Sequence, residues 1–132
     1  MTGVVSLRAE TRRDIERLIR SVEELEVLLF LGRDRTRYSS SRVAAAAVGL
    51  SDAAAAAALE ALASRNLLDV RIGEQLLYRL DPTTAKANAA VGRILEAGWH
   101  NRVAVLHVIM ALPSSVRDFA DAFRVKKGPD RA

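Results

Sequence analysis

Residues 39–80 read SSSRVAAAAVGLSDAAAAAALEALASRNLLDVRIGEQLLYRL, and this stretch decides the fold. Gly49 follows Ala45 by four residues. A small residue at the first position lets two helices approach closely, and glycine at the second supplies the positive φ of a tight turn. Val48 and Leu50 flank the glycine as apolar residues, and alanines recur at helical spacing beyond it. The pattern predicts helices over about 41–48 and 52–65, joined by that turn.

The residues after the second helix predict a β-hairpin. Asn66 suits a left-handed position at the end of the helix. Residues 67–72 and 75–80 are strand-like, and they are joined at Gly73-Glu74. Glycine at the first turn position is typical of a two-residue type II′ hairpin, in which that residue has a positive φ. We therefore expect one hairpin over about 68–80.

In this order, the stretch AAAAVGLSDAAAAAALEALASRNLLDVR resembles the winged helix-turn-helix transcriptional regulators of the MarR and ArsR groups, over about residues 12–80. The resemblance implies that residues 51–65 form the recognition helix and residues 68–80 the wing. It implies a bacterial regulator that binds double-stranded DNA. The expected fold class is mainly α: a winged helix-turn-helix with one β-hairpin wing and a C-terminal helical extension.

The flanking segments predict further helices. An apolar stripe from Ile15 to Leu29 predicts one long helix that begins at Thr11, with Thr11 as N-cap, and ends at Gly32. Beyond the hairpin, Pro82 suits the first position of a helix over 83–97 that Gly98 interrupts. Helices over 102–112 and 116–125 follow. The expected organisation is a flexible N-terminus (1–10), a winged-helix domain (11–81), a helical extension (82–125) and a flexible tail (126–132).

Phosphate contact with DNA needs cations, hydroxyls and helix N-terminal amides. Arginines and serines of this kind cluster before and within the helix-turn-helix and in the wing. Helix caps are the simpler role for Ser39, Ser40 and Ser51. The candidate DNA-binding residues are Arg33, Arg35, Arg37, Ser39, Ser40, Arg42, Ser51, Arg65, Arg71 and Arg79.

The recognition helix that the resemblance implies has almost no side chains that can read DNA bases. Base readout needs bidentate donors such as arginine or asparagine, and residues 52–64 contain none. Specificity is then expected to rest on DNA shape, dimer spacing or the wing. The alternative is a winged helix that has become a protein-interaction adaptor, in which the alanine-rich helix and the apolar C-terminal helices bind a protein partner.

The C-terminal helices carry more apolar surface than one small core is expected to cover. Nine of the ten residues from Val103 to Leu112 are apolar. Apolar excess of this kind marks an interaction site, and a homodimer is the leading expectation. The candidate interface residues are Val105, Leu106, Ile109, Met110, Phe119 and Phe123.

The sequence lacks the residues that metal-binding proteins and enzymes require. The sequence has no cysteine, and its two histidines lie seven residues apart, so we expect no metal site. We find no phosphate-binding glycine loop and no acid–base pair, and we expect neither a cofactor nor an enzyme. The net charge of +4 favours a polyanionic partner, although GC-rich coding produces the same excess of arginine and alanine. The longest apolar run is far below the ~20 residues of a membrane helix, and with no signal-peptide pattern we expect a cytoplasmic protein.

Overall fold

The computed structural model describes residues 7–113. Within them are six α-helices and one two-stranded antiparallel hairpin. The elements are α1 (Ala9–Leu18), α2 (Val22–Arg33), α3 (Ser41–Val48), α4 (Asp52–Ser64), β1 (Leu68–Arg71), β2 (Leu77–Leu80), α5 (Ala85–His100) and α6 (Arg102–Met110). The order confirms a mainly helical winged helix-turn-helix followed by further helices.

The helix-turn-helix consists of α3 and α4. Ser40 caps α3 by accepting a hydrogen bond from the Val43 amide at 3.2 Å, and Ser51 caps α4 by accepting from the Ala54 amide at 3.0 Å. Gly49 has a φ of 77°, as predicted, and its amide donates to the Ala45 carbonyl. The chain bends by 112° between the two helices, which is the geometry of DNA-binding helix-turn-helix pairs.

The wing consists of β1, β2 and the five-residue loop 72–76 between them. The last strand pair is Arg71 with Leu77. Gly73 does not adopt a positive φ, so the predicted two-residue type II′ turn is wrong. Five loop residues close the hairpin without that strain. Ser39 adds a one-residue bridge to Tyr78, through two backbone hydrogen bonds of 2.8 Å, and so ties the wing to the start of α3.

The predicted first helix is two helices. Ile19 is extended, with φ −122° and ψ 127°, and the chain resumes as α2 after the N-cap Ser21, which accepts from the Glu24 amide. The Glu24 carboxylate accepts a hydrogen bond in turn from the Arg20 amide. These capping bonds start a new helix at this point, although the apolar stripe continues through it. Thr11 is not an N-cap, because α1 already begins at Ala9. Residues 9 and 10, which the sequence assigned to a flexible N-terminus, belong to α1, and residues 1–6 lie outside the described residues.

Helix α5 runs uninterrupted through Gly98 to His100. A Cβ at Gly98 would lie 2.6 Å from Cδ2 of Leu29, so the glycine permits close packing of α5 on α2 and does not break the helix. Pro82 lies before the helix, and Thr84 is its N-cap. Helices α5 and α6 pack on α1, and they bury Ile94, Val105 and Ile109 in the core that α2 and α4 share.

Candidate nucleic-acid interface

The basic loop, residues 33–38, joins α2 to α3 and has a fixed backbone. The Asp34 carboxylate accepts hydrogen bonds from the Thr36 hydroxyl at 2.6 Å and from the Thr36 amide at 3.1 Å. These two bonds, with a smaller contribution from the charge of Arg37, hold the pKa of Asp34 below its ordinary value. Asp34 was not among the predicted site residues, although an Asp two residues before a Thr is a turn-forming pattern. Its turn sets the positions from which Arg35 and Arg37 project, whereas Arg33 is the last residue of α2.

Five of the predicted arginines have no carboxylate within ion-pair distance among residues 7–113. Arg33, Arg37, Arg42 and Arg71 are also exposed, whereas Arg35 is half-buried. Arg42 lies in the first turn of α3, where the helix dipole also favours an anion. These residues lie in the basic loop, in the helix-turn-helix and in the wing. Their charges are therefore available to a polyanion.

Arg35 and the remaining predicted cations have protein partners. Arg35 donates to the Asn88 side chain of α5 at 2.5 Å. Arg79 pairs with Asp69 at 2.9 Å and with Asp81 at 3.5 Å. Arg65 pairs with the buried Glu24 at 2.6 Å and also donates to the Leu18 carbonyl. Arg65 therefore joins the end of α4 to the α1–α2 break, and we remove it from the candidate interface.

The predicted serines differ in accessibility. Ser39 and Ser40 are 5% and 6% exposed, so their side chains are not available to a phosphate. Ser39 is held by the bridge to Tyr78, and Ser40 is held by its cap. Ser51 is exposed at the N-terminus of α4, where its hydroxyl accepts from the Ala54 amide. Of the three serines, Ser51 is the one that stays in the candidate interface.

The outer face of the wing holds an aromatic residue that the sequence pattern did not single out. The guanidinium of Arg71 lies 4.1 Å from the centroid of the Tyr38 ring, and that of Arg79 lies 4.8 Å from it. The Tyr38 hydroxyl donates to Asp69 at 2.5 Å. The sequence shows a tyrosine at the end of an arginine-rich loop. Only the strand register of the structure shows that this ring lies against the wing.

The outward surface of α4, the second helix of the helix-turn-helix, carries no side-chain amide or guanidinium donor. Ala55, Ala58, Leu59 and Leu62 face the core. The exposed positions are Ser51, Asp52, Ala53, Ala57, Glu60 and Ser64. The structure thus places alanines and two carboxylates where a DNA-reading helix has its base contacts. This surface can contact a thymine methyl group, but it lacks the bidentate donors that read guanine or adenine.

The candidate dimer residues are divided between core and surface. Val105 and Ile109 are 0% and 1% exposed, so they pack inside the chain and no partner can reach them. Helix α1 provides core surface for them that the sequence pattern did not reveal. Leu106 is half-buried, and Met110 and Val103 are each 61% exposed. Phe119 and Phe123 lie outside the described residues.

Residues 7–113 contain no cluster of three or more histidine, cysteine, aspartate or glutamate side chains that could hold a metal ion. Across the same residues no single helix has the length and apolar character to cross a membrane. Helices α3 and α4 reach that threshold when taken together, as a pair bent by 112°.

Comparison with known proteins gives a likeness of fold. No family model matches the chain, and no curated protein matches it. Among solved structures, RV1404 from Mycobacterium tuberculosis has a TM-score of 0.50 at 16% identity, over 94% of this chain and 86% of that one. The homodimeric winged helix-turn-helix DNA-binding domain of Mb0332 from Mycobacterium bovis, a possible ArsR-family transcriptional regulator, has a TM-score of 0.46 at 22% identity, over 75% of this chain and 87% of that one.

Proposed function

We propose that this chain is a DNA-binding transcription regulator that holds duplex DNA through phosphate contacts of the basic loop, helix α3 and the wing. It is a binding module and not an enzyme, and it acts in the bacterial cytoplasm. The observation that carries the proposal is that the basic loop, α3 and the wing together present four exposed arginines with no carboxylate partner among the described residues: Arg33, Arg37, Arg42 and Arg71.

The positions of the exposed charges favour sequence-independent affinity for duplex DNA over the recognition of individual bases. Each phosphate neutralised by an arginine releases condensed counterions, and this term supplies most of the affinity for any duplex. The exposed side of α4 offers alanines, Asp52 and Glu60, so it adds little cationic charge in the major groove. We therefore expect binding that is strongly salt-dependent and only modestly selective through the recognition helix.

A salt titration tests the proposal. Wild-type protein and the variant Arg37→Ala/Arg42→Ala are titrated with a fluorescent random-sequence duplex between 50 and 200 mM salt, a range over which phosphate contacts weaken steeply. The variant should bind more weakly, and its slope of log K against log salt should be shallower by about two. Arg37 and Arg42 are chosen because Arg35 is bonded to Asn88.

The matched control removes two exposed arginines elsewhere. Arg12→Ala/Arg17→Ala deletes the same charge from α1, which packs mainly on α5 and α6. Its slope should remain that of the wild type. Equal loss of slope in both variants would show that net charge, and not the proposed surface, holds the DNA. Absence of any binding by wild type at low salt would reject the proposal.

The proposal includes a homodimer. Val103 and Met110 on α6 are each 61% exposed, and Trp99 near the end of α5 is 41% exposed. These apolar side chains follow the wing in the sequence and belong to neither helix of the helix-turn-helix. A symmetric dimer would match paired half-sites about one helical turn apart.

A specific observation favours the adaptor as the second candidate function. The wing tip is apolar: Ile72 is 82% exposed, Leu76 43% and Val70 37%. Val43 on α3 is 44% exposed as well. Together with the alanines of α4, these side chains offer a surface that suits a protein partner. Failure to bind DNA at low salt would favour this function, and charge substitutions at Ile72 would then be the way to test it.

A further inference from the structure

We propose that Asn88 of helix α5 is a positioning residue for DNA binding: its side chain orients the guanidinium of Arg35 without neutralising it, so that Arg35 makes one further phosphate contact. The inference rests on the proposed function and extends the binding surface to the helical extension. Asn88 was not among the predicted site residues, because it follows Arg35 by 53 positions of sequence.

Arg35 differs from the other bonded arginines in the chemistry of its partner. Its Nη2 atom donates to Oδ1 of the Asn88 side chain at 2.5 Å. Four arginines in the described part of the chain are bonded to carboxylates, namely Arg65, Arg79, Arg93 and Arg102. A carboxylate orients a guanidinium and also cancels its charge, whereas an amide oxygen orients it and leaves the positive charge in place. Arg35 is therefore held in position and remains a cation for an anionic ligand.

The acid next to Arg35 in the sequence does not neutralise it either. The Asp34 carboxylate accepts hydrogen bonds from the hydroxyl and the amide of Thr36, and this turn fixes the main chain on both sides of Arg35. The bond to Asn88 fixes the tip of the side chain. Because both ends of this long side chain are held, less conformational entropy remains to be lost when a phosphate binds.

Helix α5 holds Asn88 in a defined position because it packs closely on α2 directly before the basic loop. A Cβ added at Gly32 would lie 2.6 Å from Cδ2 of Leu95, so only glycine permits this approach of the two helices. Asn88 precedes Leu95 by seven residues within α5, and residues at this spacing share one face of a helix. The close packing of α5 on α2 thus places the amide beside the guanidinium of Arg35.

Two substitutions of Asn88 separate orientation from charge. Wild type, Asn88→Ala and Asn88→Asp are titrated with a fluorescent random-sequence duplex between 50 and 200 mM salt. Asn88→Ala removes the orienting bond and keeps the charge, so affinity should fall about fivefold with no change in the slope of log K against log salt. Asn88→Asp places a carboxylate against Arg35, so the slope should become shallower by about one, as it should in Arg35→Ala.

The matched control is Ala89→Asp. It adds the same charge at the neighbouring exposed position of α5, turned by about 100° around the helix, and its slope should remain that of the wild type. The double variant Arg35→Ala/Asn88→Asp shows whether Asn88 acts through Arg35. It should bind within about twofold of Arg35→Ala alone, because the two substitutions remove the same contact. Melting curves establish that each variant is folded.

The outcomes distinguish this inference from the proposed function. No binding by wild type would reject the proposed function and the inference with it. Binding by wild type with an unchanged slope in Asn88→Asp would overturn the inference and leave the proposed function intact. Equal losses of slope in Asn88→Asp and Ala89→Asp would assign the effect to the net charge of α5, and this too would overturn the inference. Full affinity in Asn88→Ala would show that Arg35 binds without the amide, and Asn88 would then have no positioning role.

Discussion

At the scale of single residues, buried polar groups hold elements in position. Glu24 is 7% exposed, and its carboxylate accepts from the Arg20 amide and from Arg65. Asp14 is 3% exposed and receives two hydrogen bonds from Arg93 of α5, at 2.6 and 3.3 Å. The hydrogen bonds, together with the charge of Glu10, raise the pKa of Arg93 above its ordinary value. Each acid thus joins two helices that are distant in sequence.

The first prediction concerns Arg65. Arg65→Leu should destabilise the fold by about 2 kcal/mol, because it leaves the Glu24 carboxylate buried without its cation, and the pair is only partly shielded from solvent. Urea unfolding followed by circular dichroism measures the change. Arg17→Leu, at an exposed position on α1, is the control and should change stability by less than about 0.5 kcal/mol. Similar losses in the two variants would contradict a structural role for the pair.

The second prediction is a pH dependence. Burial, aided by the charge of Glu60, raises the pKa of the Tyr78 phenol above 10.0. The folded state therefore retains a proton that the unfolded state releases first. The associated stability is fully present below pH 10 and is lost as pH rises through the folded pKa. Urea unfolding at pH 8 and above pH 10 should show a steeper alkaline loss for wild type than for Tyr78→Phe. Parallel losses would contradict this assignment.

At the scale of elements, the two glycines of the motif have different roles. Gly49 has a φ of 77°, and a Cβ added there would have open space around it, so a side chain meets backbone strain and no clash. Gly73 in the wing loop has no positive φ, and a Cβ there would lie 3.9 Å from the nearest neighbouring atom, the Gln75 carbonyl oxygen. The predicted turn chemistry was right for the first glycine and wrong for the second.

The third prediction follows from this contrast. Gly49→Ala should cost about 1–2 kcal/mol, because alanine is strained in the left-handed region. Gly73→Ala should be neutral within about 0.5 kcal/mol. Thermal unfolding of the two variants side by side gives the comparison. A neutral Gly49→Ala would show that the turn tolerates a Cβ, and a costly Gly73→Ala would indicate a tighter wing turn than the one described.

At the scale of the whole molecule, the apolar residues of the short helix α6 are divided between the core and the exposed surface. Val105, Val108 and Ile109 of α6 face the core, whereas Val103 and Met110 are mostly exposed. Only some of the apolar residues that are in excess in the sequence are therefore exposed and able to form an interface. A charge placed at the two kinds of position should have different consequences.

The fourth prediction uses that difference. Met110→Glu should keep the helical circular dichroism and shift sedimentation from dimer to monomer, because an unpaired charge in an interface costs several kcal/mol. Ile109→Glu should instead unfold the chain, since the residue is 1% exposed. A wild-type protein that sediments as a monomer at micromolar concentration would refute the dimer.

Short-range sequence patterns were enough to predict the helix-turn-helix and the hairpin after it. The determinants are local: Ser40 and Ser51 cap helices that follow directly, Gly49 sets a single φ, and Asn66 adopts its predicted positive φ of 64°. Information of this kind lies within a few residues, so it can be interpreted without the rest of the chain.

Tertiary structure decided which of the predicted site residues remain accessible. Arg65 and Arg79 are paired with acids that lie 41 and 10 residues away, and Arg35 is bonded to an asparagine 53 residues away. The Tyr38 ring and Arg71 meet across 33 positions of sequence. No local pattern encodes these encounters, because they depend on how strands and helices pack. The arginine count shows how much positive charge the chain carries, but packing determines which arginines remain without an acidic partner.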